Sequence, residues 1–227
     1  MLTPEEKYDQ LKKDYDDFVY IVSHDFRASF RKISSLTGWM KDDLENEDLT
    51  DMEDNIKLLQ KSSLQMNGML QGLTLLSRID RIEKVVSEVN LEALINQIIE
   101  ENKITFHKIN YTGQLTSFNT NQEKFKGILN EIIKNAHLFN NNEQKELFVD
   151  FNISNEKIIL EIKDNGFGIE NKDLEKPFKL FYNEHFKTRV ETTGSGLTYV
   201  RKLAQSENGT VQILNSTEQG TTIQIKL

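Results

Sequence analysis

Lys163-Asp164-Asn165-Gly166-Phe167-Gly168-Ile169 is the stretch on which the reading of the fold turns. The run before it, Lys157 to Ile162, is rich in β-formers and stops at a D-x-G-x-G turn. Two glycines one residue apart permit positive φ and leave room beside the backbone for a flat or charged ligand. A strand that ends in a carboxylate and a glycine turn suits the reading of a nucleotide base. Asp-Asn-Gly equally makes an ordinary hairpin turn, so the stretch alone leaves both readings open. Thr193-Gly194-Ser195-Gly196-Leu197 shifts the balance. Its glycines immediately precede a helix predicted from Leu197 to Ser206, with Leu197, Val200, Leu203 and Ala204 on one face. Free N–H groups and the positive end of the dipole at such a helix start suit phosphate.

Upstream, the chain changes character near Arg81 to Glu88, and the division expected is a helical hairpin at 1–82 and a second domain at 83–227. The first helix is predicted from about Pro4 to Glu45. Its apolar positions are Leu11, Tyr15, Phe18, Ile21, Val22, Phe26, Phe30, Ile33, Leu36, Trp39 or Met40, and Leu44. Spacings of three and four sustained over that length are those of a coiled coil or four-helix bundle. Asn46-Glu47-Asp48 supplies the break. A second helix follows from about Leu49 or Thr50, with Met52, Ile56, Leu59, Leu64 or Ser63, Met66, Leu70, Leu73, Leu76 and Ile79. Two helices cannot bury stripes this long against each other alone, so a homodimer that makes four helices is expected.

Beyond the break the pattern alternates. A strand is predicted at Val85–Val89 and a helix at Leu91–Asn102. Two short polar strands follow around Thr112-Gly113, then a helix at Glu123–Phe139. Strands at Glu146–Ser154 and Lys157–Lys163 form a hairpin about Asn155-Glu156, and a closing hairpin joins Gly209–Asn215 to Thr221–Leu227. Helices on one face of a mixed, largely antiparallel sheet make the fold class α+β.

Composition narrows the function. With 28% charged residues, 37% hydrophobic residues and no apolar run of bilayer length, a cytoplasmic location is expected, on its own or as the cytoplasmic part of something longer. The absence of cysteine excludes disulfides and thiolate metal sites. A net charge of −8 argues against nucleic acid as a partner.

Ser23-His24-Asp25-Phe26-Arg27 sits in the middle of the first helix, on or near its apolar seam. A lone helical histidine is usually structural. Here a carboxylate follows immediately, can hold one imidazole nitrogen and thereby fixes the tautomer of the other. No Ser or Cys partner suggests acyl transfer. An imidazole offered to a second domain that holds ATP is coherent with both halves of the chain.

Together these residues resemble the catalytic region of two-component sensor histidine kinases. Phe18 to Ile33 is similar to the phosphoacceptor box, with His24 at the phosphorylated position and Asp25 beside it. Asn130-Glu131-Ile132-Ile133-Lys134-Asn135-Ala136 is similar to the asparagine box. Asp164 to Ile169 resembles the first glycine box, Pro177-Phe178-Lys179-Leu180-Phe181 the phenylalanine box, and Thr193 to Gly209 the second glycine box. Each box is weak singly; five in order behind a helical hairpin are specific.

The resemblance implies a dimerisation and phosphotransfer hairpin followed by an α/β sandwich of the gyrase/histidine-kinase ATPase type. It implies that Asp164 accepts the adenine amine, that Gly166 and Gly168 allow close approach, and that Ile169 walls the ring. Asn135, with Glu131 one turn earlier, would ligate Mg²⁺. Gly194, Gly196 and Leu197 would meet the triphosphate of ATP. Asn183 to Thr193 would form a lid that carries cations such as Lys187 or Arg189. The implied reaction is phosphorylation of His24 by ATP and transfer to an aspartate on the receiver domain of a response regulator.

Several positions depart from the family pattern. Ala28 and Ser29 stand where relatives usually carry Thr or Asn and then Pro, so weak phosphatase activity and a straighter first helix are expected. Glu131 stands where many relatives have Asn, Leu138 where they often have a cation, and Thr192 at the first glycine of the last box. Two alternatives follow: a phosphotransfer or scaffold module with a degenerate ATP domain, or an ATPase of the same superfamily with Glu131 as general base. His107 and His137 are read as structural or solvated, and His185 as a lid residue.

Overall fold

The computed structural model describes residues 4–113, 117–154, 157–170, 172–182 and 192–227. They form two compact units, Met1–Leu70 and Gln71–Leu227.

The first unit holds α1 (Pro4–Glu45) and most of α2 (Met52–Arg78). Between them Glu47 takes φ 58°, and Asp48 Oδ1 accepts both the N–H and the hydroxyl of Thr50, at 3.1 and 2.6 Å. The chain thereby reverses, and Asn55 Nδ2 comes within 3.5 Å of Asp43 Oδ2. Ser29, Leu36, Ser62 and Met69 are buried in this hairpin. Phe30, Trp39, Leu44 and Leu64, all expected on the seam, are exposed. Both helices therefore carry apolar side chains outside the stripe that the hairpin buries.

The second unit continues through β1 (Val86–Val89), α3 (Leu91–Glu101), β2 (Lys108–Gly113), β3 (Phe118–Asn121) and α4 (Gln122–Leu138). It closes with β4 (Glu146–Ser154), β5 (Lys157–Asp164), α5 (Gly196–Ser206), β6 (Thr210–Thr217) and β7 (Gly220–Lys226). Asn90 and Asn121 start α3 and α4 by accepting the N–H groups of Ala93 and Lys124, at 2.9 and 3.2 Å. The main sheet runs β2-β4-β5-β7-β6, antiparallel except for the parallel β2/β4 pair. The two polar strands around Thr112-Gly113 do not pair with each other: β2 joins the sheet edge, and β3 pairs antiparallel with β1.

Alternation sorts the two faces. Leu147, Val149 and Phe151 of β4, Leu160 and Ile162 of β5, and Ile225 of β7 are buried in one core with Ile95, Ile98, Phe125, Leu129, Val200 and Leu203 of the helices. Each such side chain contributes roughly 1.5–3 kcal/mol through burial. The opposite face is polar, with Gln212, Gln224 and Glu161 bonded in a row at 2.9 and 2.6 Å across three strands. Lys124, only 3% exposed, ties the start of α4 to the end of α5 through Glu207 at 2.6 Å. The fold is α+β, a helical N-terminal part followed by a mixed sheet with its helices.

Candidate functional site

β5 delivers Asp164 to the end of the sheet, where the chain leaves through the glycine turn. Gly166 donates its N–H to Asp164 Oδ1 at 2.8 Å, and Thr221 at the start of β7 donates to the same atom at 3.2 Å. Both bonds fall on Oδ1, which leaves Oδ2 as the atom available to an amine. Burial pushes the Asp164 carboxyl above the usual aspartate range, and the two N–H groups pull it partly back.

Gly168 sits at φ 67°, where a β-carbon would overlap the Thr217 carbonyl, so only glycine lets this turn lie on the β6–β7 hairpin. Ile169 is fixed one residue on, its N–H donating to Ser216 Oγ at 2.7 Å. Gly166 is buried behind the Phe139 carbonyl, which accepts the Phe167 N–H at 3.3 Å.

Helix α4 supplies the opposite wall. Glu131 and Asn135 are one turn apart and share a face. The Glu131 side chain, 17% exposed, accepts from Asn130 Nδ2 at 3.1 Å and lies 3.3 Å from Lys134 Nζ. Its Oε2 stands 2.8 Å from where a β-carbon on Gly196 would be, and Asn135 Nδ2 stands 3.9 Å from the same point. α5 thus begins directly against this pair. Unlike α3 and α4, it has no side chain capping its first turn. Ser195 bonds instead to Thr193 Oγ1 at 2.7 Å. The phenylalanine segment braces α5 from behind: Thr198 donates to the Phe178 carbonyl at 2.9 Å, and Arg201 lies 3.8 Å from the Phe178 ring centre.

These segments enclose a cavity of about 260 Å³. Glu131, Asn135, Asp164, Gly168, Ile169, Gly194, Gly196 and Leu197 all line it, whereas Gly166 shapes its wall from behind. Sequence reasoning missed Phe139, Phe167 and Tyr182, which give it aromatic surface, and Thr221, which orients Asp164. The Gly220-Thr221 pair that opens β7 was the available signal. Segment 183–191, with His185, Lys187 and Arg189, lies outside the described residues, as do Asn155 and Glu156.

Among the described residues no group of three or more His, Cys, Asp and Glu side chains could cage a metal. Glu131 and Asn135 instead offer two hard oxygens beside an uncapped helix start. That donor set fits Mg²⁺, which keeps most of its shell in water and phosphate oxygens.

In the first unit, the His24 ring is 58% exposed rather than set in the seam. Ser29, Ile33 and Leu36 turn inward, and His24 falls on the flank of that stripe. Its Nδ1 lies 2.9 Å from Asp25 Oδ1, and the ring stacks on Tyr20 with centroids 6.2 Å apart. With Nδ1–H donating to Asp25, Nε2 keeps its lone pair.

A β-strand carboxylate, a glycine turn and an uncapped helix start thus lie around one cavity. Residues 120–227 match the family described as Histidine kinase-, DNA gyrase B-, and HSP90-like ATPase. The chain is 26% identical to Sensor histidine kinase WalK of Bacillus subtilis over 100% of this chain and 38% of that protein. It is 22% identical to Methanogenesis regulatory histidine kinase FilI of Methanothrix harundinacea, over 92% of this chain and 24% of the relative. The Acinetobacter baumannii histidine kinase AdeS shares the fold with a TM-score of 0.58 and 19% identity, over 86% of this chain and 94% of that one. Full-length ShkA in complex with AMPPNP also gives 0.58, at 18% identity over 90% of this chain and 45% of that one. Residues 120–227 match that ATPase family, and the chain as a whole is similar to the catalytic region of sensor histidine kinases. It spans about a quarter to a half of the length of the curated relatives it matches. Among the described residues no helix is long and apolar enough to cross a membrane.

Proposed function

We propose that this chain is an ATP-dependent protein-histidine kinase, with 1–82 as the dimerisation and phosphotransfer domain and 83–227 as the ATP-binding domain. His24 Nε2 attacks the γ-phosphorus, the bond to the β,γ-bridging oxygen breaks, and ADP leaves. The imidazole gains positive charge as the N–P bond forms. Asp25, already on Nδ1–H, offsets that charge and can take the proton. Asp164 accepts the adenine amine, Phe139 and Phe167 flank the ring, and the start of α5 receives phosphate oxygens. Glu131 and Asn135 would hold Mg²⁺, which would supply neutralisation of phosphate charge.

One observation carries this reading: three segments far apart in sequence bring Asn135, Asp164, Ile169 and Gly196 around one cavity. A fluorescent ATP analogue tests it directly. Saturable binding that is lost in Asp164→Asn supports the reading, and the absence of binding returns the chain to a scaffold role.

The phosphoryl group then passes to an aspartate of a response-regulator receiver domain. The exposed apolar side chains of the hairpin, among them Phe30, Trp39, Leu44 and Leu64, support homodimerisation, because a second hairpin would cover part of them. Phosphatase activity is weak, since the Ala28 methyl cannot orient water. The position of Glu131 against Gly196 supports a second reading, hydrolysis of ATP with this carboxylate as base. ATP turnover that survives His24→Ala would select it.

A further inference from the structure

Asn165 is bonded through both polar atoms of its side chain. Its Oδ1 accepts Asn140 Nδ2 at 2.7 Å and the Glu146 N–H at 2.8 Å, while its Nδ2 donates to the Gln144 carbonyl at 2.9 Å. Its own backbone carbonyl accepts from Asn142 Nδ2. Asn140, 3% exposed, is held in turn because its Oδ1 accepts the Asn142 N–H at 3.0 Å. Two amides thus fasten the loop between α4 and β4 to the residue next to Asp164.

The geometry has a directional consequence. Asn140 adjoins Phe139, whose carbonyl takes the Phe167 N–H and confines Gly166. The Gly166 N–H is one of the two donors on Asp164 Oδ1. A shift of the Asn140–Asn165 pair moves Phe139, then Gly166, then the carboxylate. Neither amide lines the cavity, so neither is placed to touch a ligand.

We propose that Asn140 and Asn165 are positioning residues for base recognition, a clasp that aims Asp164 and so sets the preference for adenine over guanine. This rests on the nucleotide reading above. The Asp164 carboxylate accepts from an exocyclic amine and repels a carbonyl, and that discrimination needs a fixed carboxylate. Asn165→Asp keeps the size of the side chain and both accepted bonds on one oxygen, but turns a second carboxylate oxygen toward the Gln144 carbonyl. Asn140→Ser keeps a short acceptor for the Asn142 N–H and cannot span to Asn165.

The test uses the full 227-residue chain, with ATP and GTP titrated separately by calorimetry and amide exchange followed without nucleotide. Asn165→Asp and Asn140→Ser, shown folded by thermal melting, should speed exchange of the Gly166 and Thr221 amides about tenfold and cut the ATP-over-GTP preference about tenfold. Ile158→Val, a core methyl deletion on the same strand, should lower the melting temperature and leave the preference intact. Folded clasp variants with wild-type preference overturn the proposal. If Asn165→Asp fails to fold, Asn140→Ser decides alone. Wild-type chain that binds neither nucleotide refutes the nucleotide reading and the selectivity role with it, and the exchange result then shows only whether the amides hold the carboxylate.

Discussion

Thr221 donates its backbone N–H to Oδ1 of Asp164 at 3.2 Å, across the junction of the neighbouring strands β5 and β7. The carboxylate proposed to read the ligand is therefore fixed by backbone groups rather than by a side chain. Its second oxygen stays available to the cavity.

Replacing that carboxylate separates binding from stability. Asp164→Asn keeps an Oδ1 for both N–H donors, so the chain should fold and melt no lower than wild type at neutral pH. Affinity for ATP should fall by at least tenfold, because the amide presents a donor to the adenine amine. Calorimetry and thermal melting of the same sample read both effects.

The pH dependence has a definite sign. Burial raises the Asp164 carboxyl above its unfolded value, so the folded chain holds the extra proton through the interval above the usual aspartate range. The stability this group contributes is complete below the unfolded value and is lost as pH rises through the raised one. Wild type minus Asp164→Asn, followed by denaturant titration, should therefore decline across that interval and level off above it.

Gly168→Ala tests the turn. The left-handed backbone alone costs an alanine about 1–2 kcal/mol, and its methyl would overlap the Thr217 carbonyl. Lower stability together with loss of ATP binding is expected, read by urea titration and the fluorescent analogue.

The Lys124–Glu207 pair should be asymmetric. Glu207→Ala leaves a buried ammonium unpaired and should cost about 3 kcal/mol. Lys124→Met, which fills the same space without charge, should cost far less. Denaturant midpoints with matching slopes decide between these outcomes.

Much of this was legible beforehand, and the exceptions have physical causes. The limits of α1 follow from Pro4 and Asn46 at the ends of an uninterrupted apolar spacing. β4 and β5 follow from strict alternation beside a turn. The parallel β2/β4 pair was not legible, because its partners are separated by a strand and a helix and β2 has no clean inward face. Phe30 and Trp39 read as seam residues because sequence spacing cannot tell a stripe buried within one hairpin from one left outside it. At the site, side-chain chemistry pointed to Asp164 and Asn135. Thr221 acts through its N–H, which residue type does not announce. Phe139 and Phe167 looked like ordinary apolar residues until their rings met at the cavity, 6.1 Å apart.

Incubation with γ-labelled ATP tests the central claim most directly. Wild-type chain should acquire label that is acid-labile and alkali-stable, while His24→Gln and Asp164→Asn acquire none and Asp25→Ala labels more slowly by about a hundredfold. Label that persists in His24→Gln, or that proves to be on Asp or Ser, would contradict the account.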